Sequence, residues 1–112
     1  MVKYGLDRVA RAIASAPRRA MLERLAEGGA SMSDLATRLE LSLPAVDKHV
    51  RVLADAGVVT KTKSGRTTSV RLVPGSLDDL ATWAMSTRLM WGNALDRLDR
   101  HLAAPADEEE TP

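Results

Sequence analysis

The residues best suited to bind a charged partner lie in the middle of the chain. Between residues 42 and 72, six basic side chains stand against two acidic ones, although the whole chain of 112 residues has a formal net charge of only +1. Beyond Leu95 the balance reverses, with six acidic residues against two basic ones. Clustered lysine and arginine attract phosphates, so the middle segment is a candidate nucleic-acid-binding surface. Its bases are Lys48, Arg51, Lys61, Lys63, Arg66 and Arg71.

Catalytic chemistry has little support in the sequence. The chain contains no cysteine and only two histidines, His49 and His101. It has no glycine-rich phosphate loop, and no group of acids and bases has the spacing of an active site. We therefore expect no catalytic residue and no enzymatic activity. The lack of cysteine also excludes disulfides and thiolate metal sites.

Two short helices joined by a tight turn are predicted around the start of the basic segment. Ser31 precedes Asp34 by three residues, which is the spacing of a capping box at a helix start. Glu40 and Leu41 then form a short link to Ser42, a candidate N-cap of the second helix. This order is typical of a helix-turn-helix.

The second of these helices has an apolar and a polar face. Val46, Val50 and Leu53 recur at i, i+4 and i+7, so they are expected to face inward. The opposite arc combines short and basic side chains, which suits a helix that enters a DNA groove. The residues of this outer face are Pro44, Ala45, Asp47, Lys48 and Arg51.

A basic β-hairpin is predicted after the second helix. Gly57 ends that helix, residues 58–63 are rich in β-branched side chains, and residues 67–72 return after a turn at 64–66. We call residues 58–72 the wing, and its tip could lie along a phosphate backbone. Its candidate contacts are Lys61, Lys63, Arg66 and Thr67.

Two segments of the chain resemble one protein family. Residues 42–59, SLPAVDKHVRVLADAGVV, resemble the recognition-helix signature of the ArsR/SmtB family of small dimeric bacterial transcriptional repressors. Residues 17–22, PRRAML, resemble the family's other recurrent segment, and the whole resemblance spans residues 6–100. It implies a mainly α-helical winged helix-turn-helix fold with four helices, a two-stranded wing and a long final helix.

The resemblance also implies a function. Members of the family are homodimers that bind double-stranded DNA at a partly palindromic operator and usually leave it when an inducer arrives. The alternative is a winged-helix module for protein interaction, antitoxin-like or scaffolding, without a specific operator. If DNA is the partner, the predicted contacts on the helix are Ser42, Pro44, Ala45, Asp47, Lys48, His49 and Arg51, beside those of the wing.

Asp47 departs from the family pattern, in which a small hydroxyl residue is common at this position. A carboxylate facing the groove either accepts a hydrogen bond from cytosine N4 or repels phosphates and weakens DNA binding. The first interpretation is preferred because the neighbouring Lys48 and Arg51 remain basic. His49 has two interpretations as well. It either braces the two helices or reaches a phosphate or base edge, and its position in the family favours the DNA contact or support of it.

A long final helix is predicted from an N-cap at Ser76 to Ala104, ahead of an acidic, disordered tail at residues 105–112. Its apolar stripe is too long for one domain of residues 1–104 to cover, so we expect it to pair with a second subunit. The predicted interface residues, including two from the first helix, are Leu6, Val9, Leu80, Trp83, Thr87, Trp91, Leu95 and Leu98.

Trp83 and Trp91 permit a second interpretation, a pocket for a hydrophobic small-molecule effector at the dimer interface. Interface packing is preferred, because no convergent polar groups accompany the two side chains. A metal cofactor is not expected. Asp99 and His101 supply only half of the family's metal site on the last helix, and Pro105 is expected to end that helix before the second half.

The start of the chain and its hydropathy predict the location. Residues 1–5, MVKYG, lack the apolar core of a signal peptide, and no apolar run approaches the ~20 residues of a membrane span. We therefore expect a cytoplasmic protein without a membrane partner.

Overall fold

The computed structural model describes residues 4–108, apart from the side chains of residues 4, 91 and 103–108. Within this range the chain forms five helices and a three-stranded antiparallel sheet, which confirms the predicted winged helix-turn-helix. Residues through Leu80 form one compact unit, and the rest of the last helix, from Ala81, forms a second. The elements in chain order are α1 (Tyr4–Ala12), α2 (Ala16–Leu25), β1 (Ala30–Ser31), α3 (Met32–Leu39), α4 (Leu43–Asp55), β2 (Val59–Ser64), β3 (Thr67–Leu72) and α5 (Asp78–Glu108).

The core of the first unit forms where α2, α3 and α4 pack together with the sheet. Val46, Val50 and Leu53 are fully buried, which confirms the predicted inner face of the second helix of the pair. Met21 from α2 and Leu35 from α3 are equally buried. Because side chains this large lose most of their favourable burial if the helix rotates, the packing holds α4 in one orientation.

Serine side chains begin α3 and α4, as predicted. The Ser31 hydroxyl accepts from the backbone N–H of Asp34 at 3.0 Å, and the Asp34 carboxylate accepts in return from the Ser31 N–H. The Ser42 hydroxyl accepts from the Ala45 N–H at 3.2 Å, while Pro44 occupies the first turn, where its missing N–H leaves no bond unmade. These caps set the residues at which both helices begin.

The sheet contains one strand that the sequence did not predict. Residues 30 and 31 form β1, which pairs antiparallel with β3 so that Ala30 lies opposite Val70 and Ser31 opposite Ser69. The strand order is β1-β3-β2, with the wing hairpin as its longer pair. Two residues are too few for an alternating pattern, and the pairing depends on β3, almost 40 residues further along.

The start of α5 differs from the predicted one. Ser76 is not its N-cap, because the helix begins at Asp78 and the Ser76 hydroxyl instead donates to the Val58 carbonyl oxygen at 3.4 Å. The chain reaches the helix through a turn in which Gly75 has a φ of 77°. This turn places Ser76 beside the start of the wing rather than at a helix end.

The end of α5 also differs. The helix runs through Pro105 to Glu108, so its predicted end at residue 104 is wrong, and residues 105–108 of the expected tail are helical. Proline removes one backbone hydrogen bond, but the alanines around it favour helix. Residues 109–112 lie outside the described range. Within that range, no helix unites the length and the apolar composition that crossing a membrane requires.

Two glycine variants test the helix end after α4. Gly57 has a φ of 79°, and an added Cβ would meet no atom within 4 Å, so Gly57→Ala changes the backbone preference alone. We expect a loss of about 1 kcal/mol in the free energy of unfolding, measured by urea denaturation. The matched control is Gly92→Ala in α5, where the new Cβ also meets nothing within 4 Å; there alanine favours the helix, by up to about 1 kcal/mol. Equal losses in both variants would contradict a left-handed requirement at Gly57.

Candidate nucleic-acid interface

The outer face of α4 is turned away from the core. Its inner face is fully buried, so the opposite arc is the one that another molecule can reach. Pro44, Lys48 and Arg51 are exposed, whereas Ala45 and Asp47 are half-buried at its edges. Ser42 lies at the start of this face, and its hydroxyl is already engaged as the N-cap. The outer face thus offers short side chains near the helix start and two cations.

Asp47 and Arg51 form an ion pair on this face. The Asp47 carboxylate oxygen Oδ2 accepts directly from Arg51 Nη2, one helical turn away. The side chains are 41% and 65% exposed, so the pair remains open to a partner. The i,i+4 spacing of acid and base was a signal for this pair that the sequence interpretation did not use.

His49 lies beside α1 and α2 rather than on the open arc. The side chain is half-buried, and its Nδ1 accepts from Arg18 Nη1 at 3.3 Å. The same guanidinium donates through Nε to the Ala12 carbonyl oxygen and through Nη2 to that of Arg11, at 3.3 Å. Arg18 thus joins the end of α1, the start of α2 and the middle of α4. This geometry favours a bracing role for His49 over a DNA contact, although the helices it joins are α4, α1 and α2 rather than the two helices of the predicted pair.

The surroundings of His49 favour its uncharged form. Burial lowers the pKa of its imidazole below the usual 6.5, and the cations of Arg18 and Lys48 lower it further. In the neutral ring with its proton on Nε2, Nδ1 can accept the hydrogen bond from Arg18. Arg18 is a residue that the sequence interpretation did not assign to the site, and 31 residues separate it from its partner.

The wing presents the predicted cations on an open hairpin. Lys61 and Lys63 lie two residues apart on β2, so both side chains leave the same face of that strand. Arg66 follows Gly65 at the turn, where Gly65 has a φ of 63°, and Thr67 pairs with Ser64. All four predicted contacts of the wing are exposed. The hairpin therefore displays three cations on a short, paired backbone.

An open groove lies between the wing and the starts of α3 and α4. Its lining includes Ser33 near the start of α3, Leu43 at the start of α4, and Arg66 and Thr67 from the wing. Leu43 is 52% exposed and was not among the predicted contacts. A leucine at the first position of a capped helix carries no periodic signal, so only the structure identifies it as a surface residue. An exposed leucine here is suited to contact a thymine methyl group.

The predicted interface residues have different exposures. Val9 is 7% exposed and belongs to the core of the first unit, so it offers little surface to a second subunit. Leu6 and Leu80 are half-buried and line one groove with Gly75 and Asp79.

From Trp83 onward, the described large apolar side chains of α5 are at least half exposed, and Thr87 is half-buried. The side chain of Trp91 lies outside the described part. An open groove along this helix is lined by Thr87, Met90, Asn93, Ala94 and Arg97, and Trp83 is not part of it. Among the described residues, no three His, Cys, Asp or Glu side chains are grouped as a metal site requires.

Comparisons with known proteins agree with this geometry. Residues 13–62 match the family model described as a helix-turn-helix domain. The chain is 40% identical over 76 residues to the HTH-type transcriptional regulator Rv2034 of Mycobacterium tuberculosis, covering 68% of this chain and 71% of that protein.

Two solved structures extend the comparison. The crystal structure of an ArsR family transcriptional regulator superposes with a TM-score of 0.73 at 28% identity, covering 82% of this chain and 95% of that one. The homodimeric winged helix-turn-helix DNA-binding domain Mb0332 of Mycobacterium bovis, a possible ArsR-family regulator, gives a TM-score of 0.63 at 21% identity and covers 75% and 78%. At that identity, the second likeness concerns the fold alone.

The burial of His49, together with the nearby cations of Arg18 and Lys48, predicts a pH dependence of stability. As the pH falls through about 6.5, the unfolded chain takes up a proton on His49 before the folded chain does, because the folded pKa is lower. Wild-type protein should therefore lose stability between about pH 7.5 and pH 5 relative to His49→Gln, which keeps an acceptor for Arg18. Urea denaturation across this range measures the difference. His101→Gln, which removes a histidine but keeps His49, is the control variant. Parallel curves for wild type and His49→Gln would contradict a lowered pKa of His49.

Proposed function

This chain belongs to the ArsR family of winged helix-turn-helix transcriptional regulators, and we propose that it is a homodimeric repressor that reads a partly palindromic DNA operator. The observation that carries the proposal is the outer face of α4, exposed and basic opposite a fully buried inner face, with the basic wing beside it. Each subunit would place α4 in a major groove, and two-fold symmetry would place the second α4 one helical turn of DNA away.

The two elements have different tasks in this proposal. Side chains of α4 read or orient on base edges, because only base edges differ between sequences. The wing cations hold the adjacent phosphate backbone and supply affinity that does not depend on sequence. The α4 set, whose members read base edges or orient the side chains that do, is Ser42, Pro44, Ala45, Asp47, Lys48 and Arg51. The backbone set is Lys61, Lys63, Arg66 and Thr67.

His49 has a supporting part in this arrangement. Its Nδ1 is engaged by Arg18, so the imidazole contributes most to DNA binding by holding the middle of α4 against the ends of α1 and α2. A groove-reading helix needs such support, because a displacement of 1 Å moves its side chains away from hydrogen-bonding distance of the bases.

The apolar stripe of α5 supports the homodimer. Trp83, Leu95 and Leu98 are 54%, 55% and 50% exposed, and helical spacing gathers them on one side of α5 with Thr87. Exposed apolar surface of this extent is typical of a protein interface. A second copy of the same helix would cover it, with a two-fold relation that matches a palindromic operator.

Fluorescence anisotropy with DNA duplexes tests the proposed function. Purified protein is titrated with duplexes tiled across the DNA upstream of its own gene, with random duplex as competitor and with salt varied. We expect at least one duplex to bind about 10³-fold more tightly than random DNA. Uniform, weak binding that disappears at moderate salt would contradict operator reading and favour the protein-interaction alternative.

In the same assay, Arg66→Ala distinguishes the contribution of the wing to DNA affinity from that of α4. The variant should weaken binding to specific and random duplexes alike, and it should reduce the slope of log affinity against log salt by about one per wing. Arg100→Ala on α5 removes the same charge outside the proposed surface and should leave the slope unchanged. Unchanged binding by Arg66→Ala would remove the wing tip from the interface.

Two α5 variants test the dimer interface. Leu98→Glu places a charge in the stripe and should produce monomers, seen by sedimentation velocity, with operator affinity at least about tenfold weaker. Leu89→Glu is the matched control, because nine residues of helix place Leu89 on the opposite side of α5, where it is 60% exposed. Dissociation by both variants, or by Leu89→Glu alone, would assign the interface to another face.

A further inference from the structure

We propose that Asp47 is a positioning residue that orients Arg51 to read a guanine, and that it does not itself read a base. The inference rests on the proposed function, since it concerns how the outer face of α4 recognises DNA. It replaces both sequence-based interpretations of Asp47, direct reading of cytosine and repulsion of phosphate.

The ion pair leaves the guanidinium able to bind two further acceptors. Asp47 Oδ2 accepts from Nη2 of Arg51, and the guanidinium has five N–H donors in one plane. The remaining donors include those of Nη1, so one edge stays free for two parallel hydrogen bonds. Guanine O6 and N7 in the major groove are the acceptors that match this edge.

The carboxylate restricts where that edge points. Asp47 is less exposed than Arg51, at 41% against 65%, and it lies one turn nearer the helix start. It therefore anchors the guanidinium on the helix surface, while an unpaired arginine would sample many rotamers. Ordering a side chain before it binds removes part of the entropic cost of binding.

The pair also changes what Arg51 contributes electrostatically. An arginine next to a carboxylate carries little net charge as a unit, so it attracts phosphates in general less strongly than a free arginine does. An exposed pair at this spacing contributes little to folding stability. We instead expect the pair to act in the complex, where DNA excludes water and the fixed geometry of the Arg51 guanidinium distinguishes one base from another.

Asp55 provides a matched comparison on the same helix. Its carboxylate is exposed near the end of α4 and forms no salt bridge in the part of the chain that the structure describes. Asp55→Asn and Asp47→Asn therefore remove the same charge from one helix, but only the second removes a partner of Arg51. Any effect of charge alone should appear in both variants.

The experiment starts from random-sequence duplexes, so it needs no known operator. Wild-type protein selects its preferred site, and anisotropy then measures affinity for that site and for each single-base-pair change. The same duplexes are measured with Asp47→Asn, Arg51→Ala, the double variant and Asp55→Asn. Thermal melting should show midpoints within about 2 °C of wild type for both Asp→Asn variants, which establishes that they are folded.

We expect one guanine per half-site whose replacement weakens wild-type binding and has little effect on Arg51→Ala. Asp47→Asn should lose about five- to tenfold of the discrimination at that position, while its affinity for random duplex rises. In the Arg51→Ala background, Asp47→Asn should change no base preference. Asp55→Asn should keep the wild-type discrimination at every position.

Four results would overturn the inference. If Asp47→Asn alters base preference without Arg51, then Asp47 reads a base directly. If Asp47→Asn and Asp55→Asn both strengthen binding to all duplexes with unchanged discrimination, then Asp47 acts by repulsion alone. If wild type selects a site in which no guanine depends on Arg51, the inference fails while the proposed function stands. Selection of no site at all by wild type would overturn both.

Discussion

The burial of one face of α4 is the constraint on which the rest of the molecule depends. Val46, Val50 and Leu53 are each fully buried, and exposing any of them would cost about 1.5–3 kcal/mol. A rotation of α4 about its axis would expose all three together, so the packing selects one orientation. That orientation decides which side chains face outward. The site is therefore a consequence of the core, because burying the inner face of α4 turns its outer face toward a binding partner.

Rotation is only one of the movements that must be prevented, and separate contacts limit the others. Ser42 caps the start of α4 and Gly57 allows the chain to leave its end, so the helix cannot slide in register without losing a cap or a left-handed turn. Arg18 holds the middle of α4 through His49, and it also donates to the carbonyl oxygens of Arg11 and Ala12 at the end of α1. Polar contacts thus define the position of a helix whose orientation is set by apolar packing.

The sequence predicted those features that depend on neighbouring residues. The Ser31 capping box, the Ser42 cap and the buried face of α4 are local or periodic, and all three are confirmed. The basic charge of the wing was likewise visible in the sequence. Three of the features that it did not predict depend on partners far along the chain: β1 pairs with β3, the Ser76 hydroxyl donates to the Val58 carbonyl, and Arg18 contacts His49. Spacing and periodicity carry no information on such pairs.

Affinity and selectivity are carried by different side chains in the proposed complex. The wing holds Lys61, Lys63 and Arg66 as exposed cations, and none of them forms a salt bridge within the described residues. On α4, Arg51 is paired with Asp47, so most of the unpaired positive side chains of the proposed interface lie on the wing. A cation free to move can follow any phosphate backbone, whereas a guanidinium fixed by a carboxylate is suited to one arrangement of acceptors. Because α4 is held by the core and the wing is an open hairpin, the rigid element carries the side chains that must discriminate, and the more exposed element carries those that need only attract.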